Sequence, residues 1–373
     1  MREVHLWVPE LDRTRGGIQA FSHFVLTALA VAAPRCGIRT LAKFGAGSRR
    51  DPAAGLSGPL RTWWFAASLL GLGLRFPPAL IISTHVNFLP VARLLKRWRG
   101  VPYVGVAHGI EVWGNPHART RVALHDADLV LAVSRHTRER VIAEQHVPAD
   151  RLGLLPNTFD EAAFSPGPKP LELLRRYRLS ANARVIFSFG RLAAAERYKG
   201  FDRMIAALPE IRRRVPDVYY VIGGTGDDRS RLESLARTNG MADRVIFTGF
   251  IRPEELCAHY NLCDVFAMPS TGEGFGIVYL EALGCGKPVL AGNRDGSVDA
   301  LADGRFGALI DPESQPAIER TLTEILLRQH PHPLMFQPAE LSRQVAAEFG
   351  FESFSRRLAQ QLRRVLPDAT FAT

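Results

Sequence analysis

The chain has 373 residues, a length that suits two domains, and its 46% hydrophobic and 23% charged content excludes disorder for most of it. The 32 Gly and 25 Pro follow no period, which excludes a fibrous repeat. Lys and Arg (47) exceed Asp and Glu (37) by 10, and the excess is lopsided: residues 1–168 carry 20 basic and 12 acidic residues, net +8, leaving 27 and 25, net +2, for the rest. The first half is expected to face something anionic, with nucleic acid, a membrane surface and a phosphorylated substrate all open on charge alone.

Short apolar runs alternate with amphipathic stretches, the pattern of α/β layers built on parallel sheets. In the first half the runs predict six strands, near Val4–Val8, Arg39–Lys43, Leu80–Thr84, Tyr103–Ala107, Leu129–Val133 and Gly153–Leu155. Helices are expected to start near Ile18, Arg61, Leu89, Ala118 and Arg135. Ser165-Pro-Gly-Pro-Lys-Pro170 continues neither periodicity and is read as the domain boundary. Strands then restart at Val185–Phe189, Val218–Ile222, Val245–Thr248, Val265–Met268 and Val289–Ala291, with intervening helices near Asp202–Arg213, Arg229–Thr238, Pro253–Leu262 and Ile277–Leu283. Pro338 to Leu366 reads as helix without a following strand. The expected domains are 1–168, 169–348 and a C-terminal helix in 349–373.

No apolar stretch reaches the roughly 20 residues that span a bilayer; Thr62–Leu74 is too short. The amino-terminal MREVHLWVPELDRTRGG breaks any signal core with acids and arginines, so a cytoplasmic location is expected. Cys36, Cys257, Cys263 and Cys285 contain no CxxC pair and are read as ordinary buried thiols rather than as a disulfide framework or a zinc site.

Ligands in such sheets bind beyond the carboxyl ends of the strands, so motifs there carry the functional argument. Gly223-Gly-Thr-Gly-Asp-Asp228 has Arg229 where a dinucleotide fingerprint needs glycine, and Gly286-Lys287 continues with Pro288 rather than Ser or Thr. Dehydrogenase and P-loop readings lose their motifs. Gly272-Glu-Gly-Phe-Gly-Ile-Val-Tyr-Leu-Glu281 sets Glu273 in a turn and Glu281, eight residues on, after about one and a half helical turns. A helix starting near Gly276 would offer the N–H groups of Phe275, Gly276 and Ile277 to an anion, with Glu273 and Gly274 beside it. The bland alternative is a tight turn with one solvated Glu and one Glu on a helix surface. Arg191 in Gly190-Arg-Leu192 and Lys199 in Tyr198-Lys-Gly-Phe201 are expected at the same edge, where a planar fork and a point charge suit a diphosphate. In the first half, Gly16-Gly17 precedes a long helix, and His108 follows the fourth strand, placed to bond a sugar hydroxyl or a developing charge.

Taken in order, Gly16-Gly17-Ile18-Gln19, His108-Gly109, Val133-Ser134, Pro156-Asn157, Gly190-Arg191-Leu192, Lys199-Gly200, Gly224-x-Gly226-x-Asp228, Phe247-x-Gly249 and Glu273-x7-Glu281 resemble the retaining glycosyltransferases of family 4. The resemblance implies the GT-B fold, with two doubly wound Rossmann-like domains facing a cleft. It implies a nucleotide-sugar donor, UDP- or GDP-linked, held mainly by the second domain, and an acceptor held mainly by the first. Arg191 and Lys199 would bind the donor diphosphate and Glu281 the ribose. Glu273 and the 275–277 N–H groups would hold sugar and phosphate, while His108 would meet the transferred sugar and Gly17 would let the first domain approach the phosphates. Gly249 and Phe250 are expected to flank the base. No cofactor and no metal are expected, and transfer with retention is.

Two departures stand out. Gly109 stands where many relatives carry Asp, and Ala193-Ala-Ala-Glu-Arg-Tyr198 lengthens the Arg191–Lys199 loop, which is still expected to return Lys199 to the phosphate. The acceptor is expected to be a lipid-linked or surface-polysaccharide intermediate. Trp63-Trp64-Phe65 and Arg93, Lys96, Arg97 and Arg99 around Trp98 are read as a peripheral contact with an anionic membrane, against a Trp stretch packed in the core. Nucleic-acid binding rests on charge alone and is not expected. The competing function is a nucleotide-sugar or anion-binding protein without turnover.

Overall fold

The computed structural model describes residues 3–11, 16–34, 36–44 and 56–367. Residues 12–15 of the amino-terminal stretch and 368–373 of the expected C-terminal segment lie outside the described residues. The chain divides into two compact units: residues up to Thr158 together with those from Phe351 onward, and Phe159–Gly350.

The first unit runs β1 Glu3–Val8, α1 Gly17–Ala32, β2 Gly37–Ala42, α2 Gly58–Arg75, β3 Leu80–Ser83, α3 Leu89–Arg99, β4 Tyr103–Ala107, α4 Ala118–His125, β5 Leu129–Ala132, α5 Arg135–Gln145 and β6 Leu152–Leu154. The sheet order is β2-β1-β3-β4-β5-β6, every pair parallel. Strands β3, β4 and β5 are buried along their whole length, as strands covered by helices on both faces must be. That requirement is why they read as unbroken apolar runs rather than as alternation. The order reverses between β1 and β3, so the connections leaving their carboxyl ends go to opposite faces of the sheet and open a crevice.

The second unit runs α6 Leu171–Arg176, β7 Arg184–Phe189, α7 Phe201–Arg214, β8 Val218–Gly223, α8 Arg229–Thr238, β9 Val245–Gly249, α9 Pro253–Leu262, β10 Val265–Met268, α10 Ile277–Gly284, β11 Val289–Gly292, α11 Ser297–Ala300, β12 Ala308–Ile310, α12 Gln315–Leu326 and α13 Pro338–Phe349. Its parallel sheet is ordered β12-β11-β10-β7-β8-β9, the doubly wound dinucleotide-fold order with its reversal between β7 and β10. Met204, Leu208 and Ile211 of α7 and Ile318, Leu322 and Ile325 of α12 are buried in one core with Ile186, Tyr220 and Leu290 of the sheet. The sixth strand, β12, has three residues, too few for a period, and was not anticipated.

The expected boundary at 168/169 falls instead at Thr158/Phe159. Residues just ahead of 168 already belong to the second unit. The Gly167 N–H donates to Asn261 Oδ1 at 2.9 Å, and Asn261 Nδ2 donates to the Ser165 carbonyl at 3.0 Å. The turn-rich segment is thus clamped to α9 by one asparagine. At the other end Gly350 separates α13 from α14 Phe351–Leu362, whose buried Phe354, Leu358 and Leu362 repeat every four residues. Phe354 meets Phe21 of α1 edge-on, ring centroids 5.7 Å apart.

Candidate functional site

At the β7/β10 reversal the two strands are followed by loops that meet. After β7 the chain passes Gly190, Arg191 and a 3-10 stretch, Ala194–Lys199, before α7. After β10 it turns through Gly272–Gly276 into α10. The loops are tied by a hydrogen bond from the Thr271 N–H to the Tyr198 carbonyl, 2.9 Å. Across this contact the Lys199 ammonium is bonded to Glu273 Oε1, both side chains being nearly buried, at 12% and 13% exposed.

The inserted residues do more than lengthen the loop. Glu196, at 10% exposure, pairs with the Arg191 guanidinium through one oxygen and lies 3.7 Å from Lys199 Nζ through the other. Two cations and two carboxylates therefore form one neutral cluster. Burial opposes the Lys199 charge, but Glu273, Tyr198 and Glu196 more than offset it and hold the ammonium protonated well above its ordinary range. Arg191 is 79% exposed and pairs with Glu196, so its guanidinium can reorient toward a ligand.

The turn that carries Glu273 is held from β11. Asp295, 2% exposed, accepts from the Ser270 hydroxyl at 2.8 Å, the Glu273 N–H at 2.7 Å and the Ser297 N–H at 2.9 Å. The Glu273 carbonyl accepts in turn from the Gly296 N–H at 2.9 Å. Phe275 is buried against Phe349, and Gly276 caps α10 at φ +89°, where a Cβ would collide with the Tyr279 ring. The Tyr279 hydroxyl donates to the Met268 carbonyl at 2.8 Å, pinning α10 to the end of β10. Among the described residues, the N–H groups of Phe275, Gly276 and Ile277 have no acceptor. They form the positive end of α10 beside Lys199, a site built for an anion.

Glu281 lies deeper along α10, where the Tyr260 hydroxyl of α9 donates to its carboxylate at 2.6 Å. Burial pushes its carboxyl up to about 7, with the Tyr260 bond opposing. Gly249 ends β9, and its carbonyl accepts from the Gly224 N–H at 2.9 Å. Phe250 follows, 66% exposed, two strands away from β7. Gly224, in the turn that fails the dinucleotide fingerprint, has a packing role: a Cβ there would fall on the Gly190 carbonyl oxygen. It lets the β8 loop lie backbone-to-backbone on the loop after β7.

In the first unit the β1/β3 reversal is organised by Thr84. Its N–H donates to the Trp7 carbonyl at 3.0 Å, its hydroxyl meets Ser22 of α1 at 2.7 Å, and its carbonyl accepts from His108 Nε2–H at 2.9 Å. His108 stacks edge-on to Phe21 at 4.8 Å. Glu111 accepts from the His108 N–H at 2.5 Å and the Gly109 N–H at 3.3 Å, so a carboxylate stands two positions beyond Gly109. Burial holds the imidazoles of both His108 and His85 below their ordinary range, with Glu111 opposing in each case. Gly16 and Gly17 open α1, both exposed.

The structure thus brings Arg191, Lys199, Glu273 and Gly274–Ile277 together, sets Glu281 behind them and Gly249–Phe250 along the same sheet edge. Gly16, Gly17 and His108 gather separately in the first unit. Sequence reasoning missed Glu196, Tyr260, Asp295, Thr84 and Glu111. Thr84 had one legible signal: it follows directly on the carboxyl end of β3, a strand at the reversal. Among the described residues, no group of three or more His, Cys, Asp or Glu side chains is arranged to hold a metal ion.

Two Rossmann-like units, the second with cations and an open helix terminus at its reversal, define a nucleotide-binding class of fold. The model for glycosyl transferases group 1 matches residues 172–340, and that for Glycosyltransferase Family 4 matches residues 22–163. A GDP-mannose-dependent alpha-(1-6)-phosphatidylinositol monomannoside mannosyltransferase of Mycobacterium tuberculosis is 34% identical over 316 residues, 82% of this chain and 76% of that protein. The protein of the same name from Mycolicibacterium smegmatis is 40% identical over 235 residues, 60% of each chain. Sucrose-phosphate synthase from Thermosynechococcus elongatus has the same fold, with a TM-score of 0.78 and 20% identity over 99% of this chain and 100% of its own. The chain belongs to glycosyltransferase family 4, and its fold is GT-B.

The neutral histidines set a pH dependence. Unfolded histidine titrates near 6.5, whereas folded His108 titrates lower. Its contribution is therefore complete above pH 6.5 and is lost as pH falls below it, because the unfolded chain takes the proton first. The stability difference between wild type and His108→Gln, read from urea midpoints, should shrink from about pH 7.5 to about pH 5.5. A constant difference would show that His108 is not buried neutral.

Proposed function

We propose that the protein transfers a hexose from a nucleotide-sugar donor to a hydroxyl of a lipid-linked acceptor, with retention and without a metal. The observation that carries the reading is the Lys199–Glu273 pair set against the unbonded N–H groups at the start of α10. The two mannosyltransferase relatives support GDP-mannose as the donor and a mannosylated phosphatidylinositol as the acceptor.

In this reading the donor diphosphate takes Arg191 and the 275–277 N–H groups as partners, with Lys199 supplying fixed positive charge. Fixed cations and a helix dipole neutralise the leaving group, which is the work a metal would otherwise do. Glu273 faces the sugar hydroxyls and Glu281 the ribose, and His108 is assigned to the transferred sugar. The bond from the anomeric carbon to the phosphate oxygen breaks, the bond to the acceptor oxygen forms on the same face, and the acceptor proton passes to the departing phosphate. Entry of a diphosphate releases Glu196 from Arg191, since the two anions compete for one guanidinium.

Peripheral contact with the inner face of the cell membrane completes the reading. No helix among the described residues is long and apolar enough to cross a membrane. On α2, Phe65 and Leu69 are buried, but Leu60, Trp63 and Trp64 are exposed, so the Trp stretch is not core. Arg97, Trp98 and Arg99 are exposed at the end of α3, whereas Arg93 and Lys96 are engaged with Asp126 and Asp128. Trp–Arg surfaces of this kind suit the interface of an anionic bilayer.

Three measurements test these assignments. With GDP-mannose and phosphatidylinositol monomannoside, folded Lys199→Ala and Glu273→Gln should transfer about 10²- to 10³-fold more slowly than wild type, and Glu196→Gln should bind donor several-fold more tightly. Wild-type rates in the first two variants would remove the site assignment. If ribose hydroxyls need the ionised Glu281, donor affinity should fall about tenfold from about pH 8 to pH 6 in wild type and stay flat in Glu281→Gln; a parallel fall in both would assign the titration elsewhere. Sedimentation with phosphatidylglycerol vesicles should be lost in Trp63→Ser/Trp98→Ser, and equal pelleting of variant and wild type would rule out this surface.

A further inference from the structure

The seam between α9 and α10 carries two rungs. Cys257 and Tyr260 are three residues apart on α9, and Glu281 and Cys285 are four apart at the end of α10, so each pair shares a helix face. One rung is the Tyr260–Glu281 hydrogen bond of 2.6 Å. The other is a thiol pair, Cys257 Sγ 3.7 Å from Cys285 Sγ. The Cys285 N–H also donates to the Glu281 carbonyl at 3.1 Å, so the rungs are one helical turn apart and directly linked.

The two sulfurs are not equivalent. Cys285 is buried, while Cys257 is partly exposed, contrary to the expectation of an ordinary buried thiol. The Asn261 amide lies 3.5 Å from the Cys257 sulfur. The Cys285 S–H hydrogen bond, helped by Asn261 and the charge of Lys287, lowers the Cys257 thiol to about 6 against the opposing effect of burial. Cys263 is the contrast. Its sulfur is spent on the Tyr260 carbonyl at 3.1 Å, and burial pushes it up to about 12.

We propose that Cys257 and Cys285 form an oxidisable pair that a peroxide converts to a disulfide, tightening the α9–α10 seam beside Glu281. In the first step the Cys257 thiolate attacks one peroxide oxygen. An S–O bond forms, the O–O bond breaks and hydroxide leaves, so that Cys257 is oxidised to the sulfenic acid and the peroxide is reduced. Cys285 then gives its proton to hydroxide, and its sulfur attacks the sulfenic sulfur. The S–S bond forms, the S–O bond breaks and the sulfenic oxygen departs as hydroxide, which takes up the proton Cys257 released on ionising; overall two thiols and one peroxide give one disulfide and two waters. A disulfide is about 2.05 Å long, so the sulfurs must approach by about 1.7 Å, and the Tyr260–Glu281 rung one turn away moves with them. The effect on donor binding rests on the ribose assignment of Glu281 made above; formation of the bond does not.

The test treats the folded, full chain with hydrogen peroxide, blocks free thiols with iodoacetamide, and maps peptides by mass. The expected product joins the Cys257 and Cys285 peptides with loss of two hydrogens, reverses with dithiothreitol, persists in Cys36→Ser and disappears in Cys285→Ser. Sulfinate at Cys257 without a crosslink, or two alkylated thiols after peroxide, would overturn the pair. GDP-mannose affinity of the mapped disulfide form should then be several-fold weaker than that of the reduced form. Unchanged affinity alongside a weakened Glu281→Gln overturns the coupling. Unchanged affinity in both removes the ribose assignment instead, with the mapped disulfide still supporting the pair.

Discussion

The pair formed by Lys199 and Glu273 is the interaction around which the loops at the second unit's strand reversal are arranged. Residues 74 positions apart in sequence are brought into contact because the strand order reverses between β7 and β10, and the loops after those strands have nowhere else to turn. Taking two charges out of water is costly, and a buried pair is tolerated only where each member is well partnered. Here the cost is offset from three sides. Glu196 supplies a second carboxylate to Lys199, Asp295 fixes the Glu273 backbone, and the start of α10 adds a dipole that disfavours a lone cation and favours an anion. The cluster is neutral with Glu196 in place and short of one anion when Glu196 turns away, which is the basis of the diphosphate site proposed above.

The supporting contacts explain why glycines stand at these positions. Gly224 permits a backbone-on-backbone contact with Gly190, which sets the height of the loop carrying Arg191. Gly276 turns the chain into α10 under the Tyr279 ring. Neither touches an anion through a side chain, yet both decide where the N–H groups and cations stand. In the first unit Thr84 does comparable work, joining β1, α1 and His108 through three hydrogen bonds at the corresponding reversal.

Much of this was legible in the sequence because parallel strands buried on both faces leave unbroken apolar runs. The fully buried strands β3, β4, β5, β10 and β11 follow from that one requirement. The three-residue β12, only partly buried, does not show it and was not anticipated. The site motif was legible for a related reason: Glu273, Gly274–Gly276 and Glu281 are close in sequence, so turn chemistry and helix spacing could be read together. What could not be read was long-range pairing. Glu196 looked like one charge in a polar insertion, and only the fold turns it inward between Arg191 and Lys199. Asp295 and Tyr260 reach the site from other elements, and no local pattern marks which buried polar group will meet which turn. The domain boundary was misplaced for the same reason, since the clamp by Asn261 joins residues almost a hundred positions apart.

The central claim is that the Arg191–Lys199 cluster at the β7/β10 reversal holds the donor diphosphate. Diffraction from crystals grown with GDP in metal-free buffer tests it most directly. The account predicts phosphate oxygens within hydrogen-bond distance of Arg191 and of the N–H groups of residues 275–277, the ribose against Glu281, and Glu196 displaced from Arg191. A nucleotide seated elsewhere in the second unit, with the Arg191–Glu196 pair intact, would contradict it.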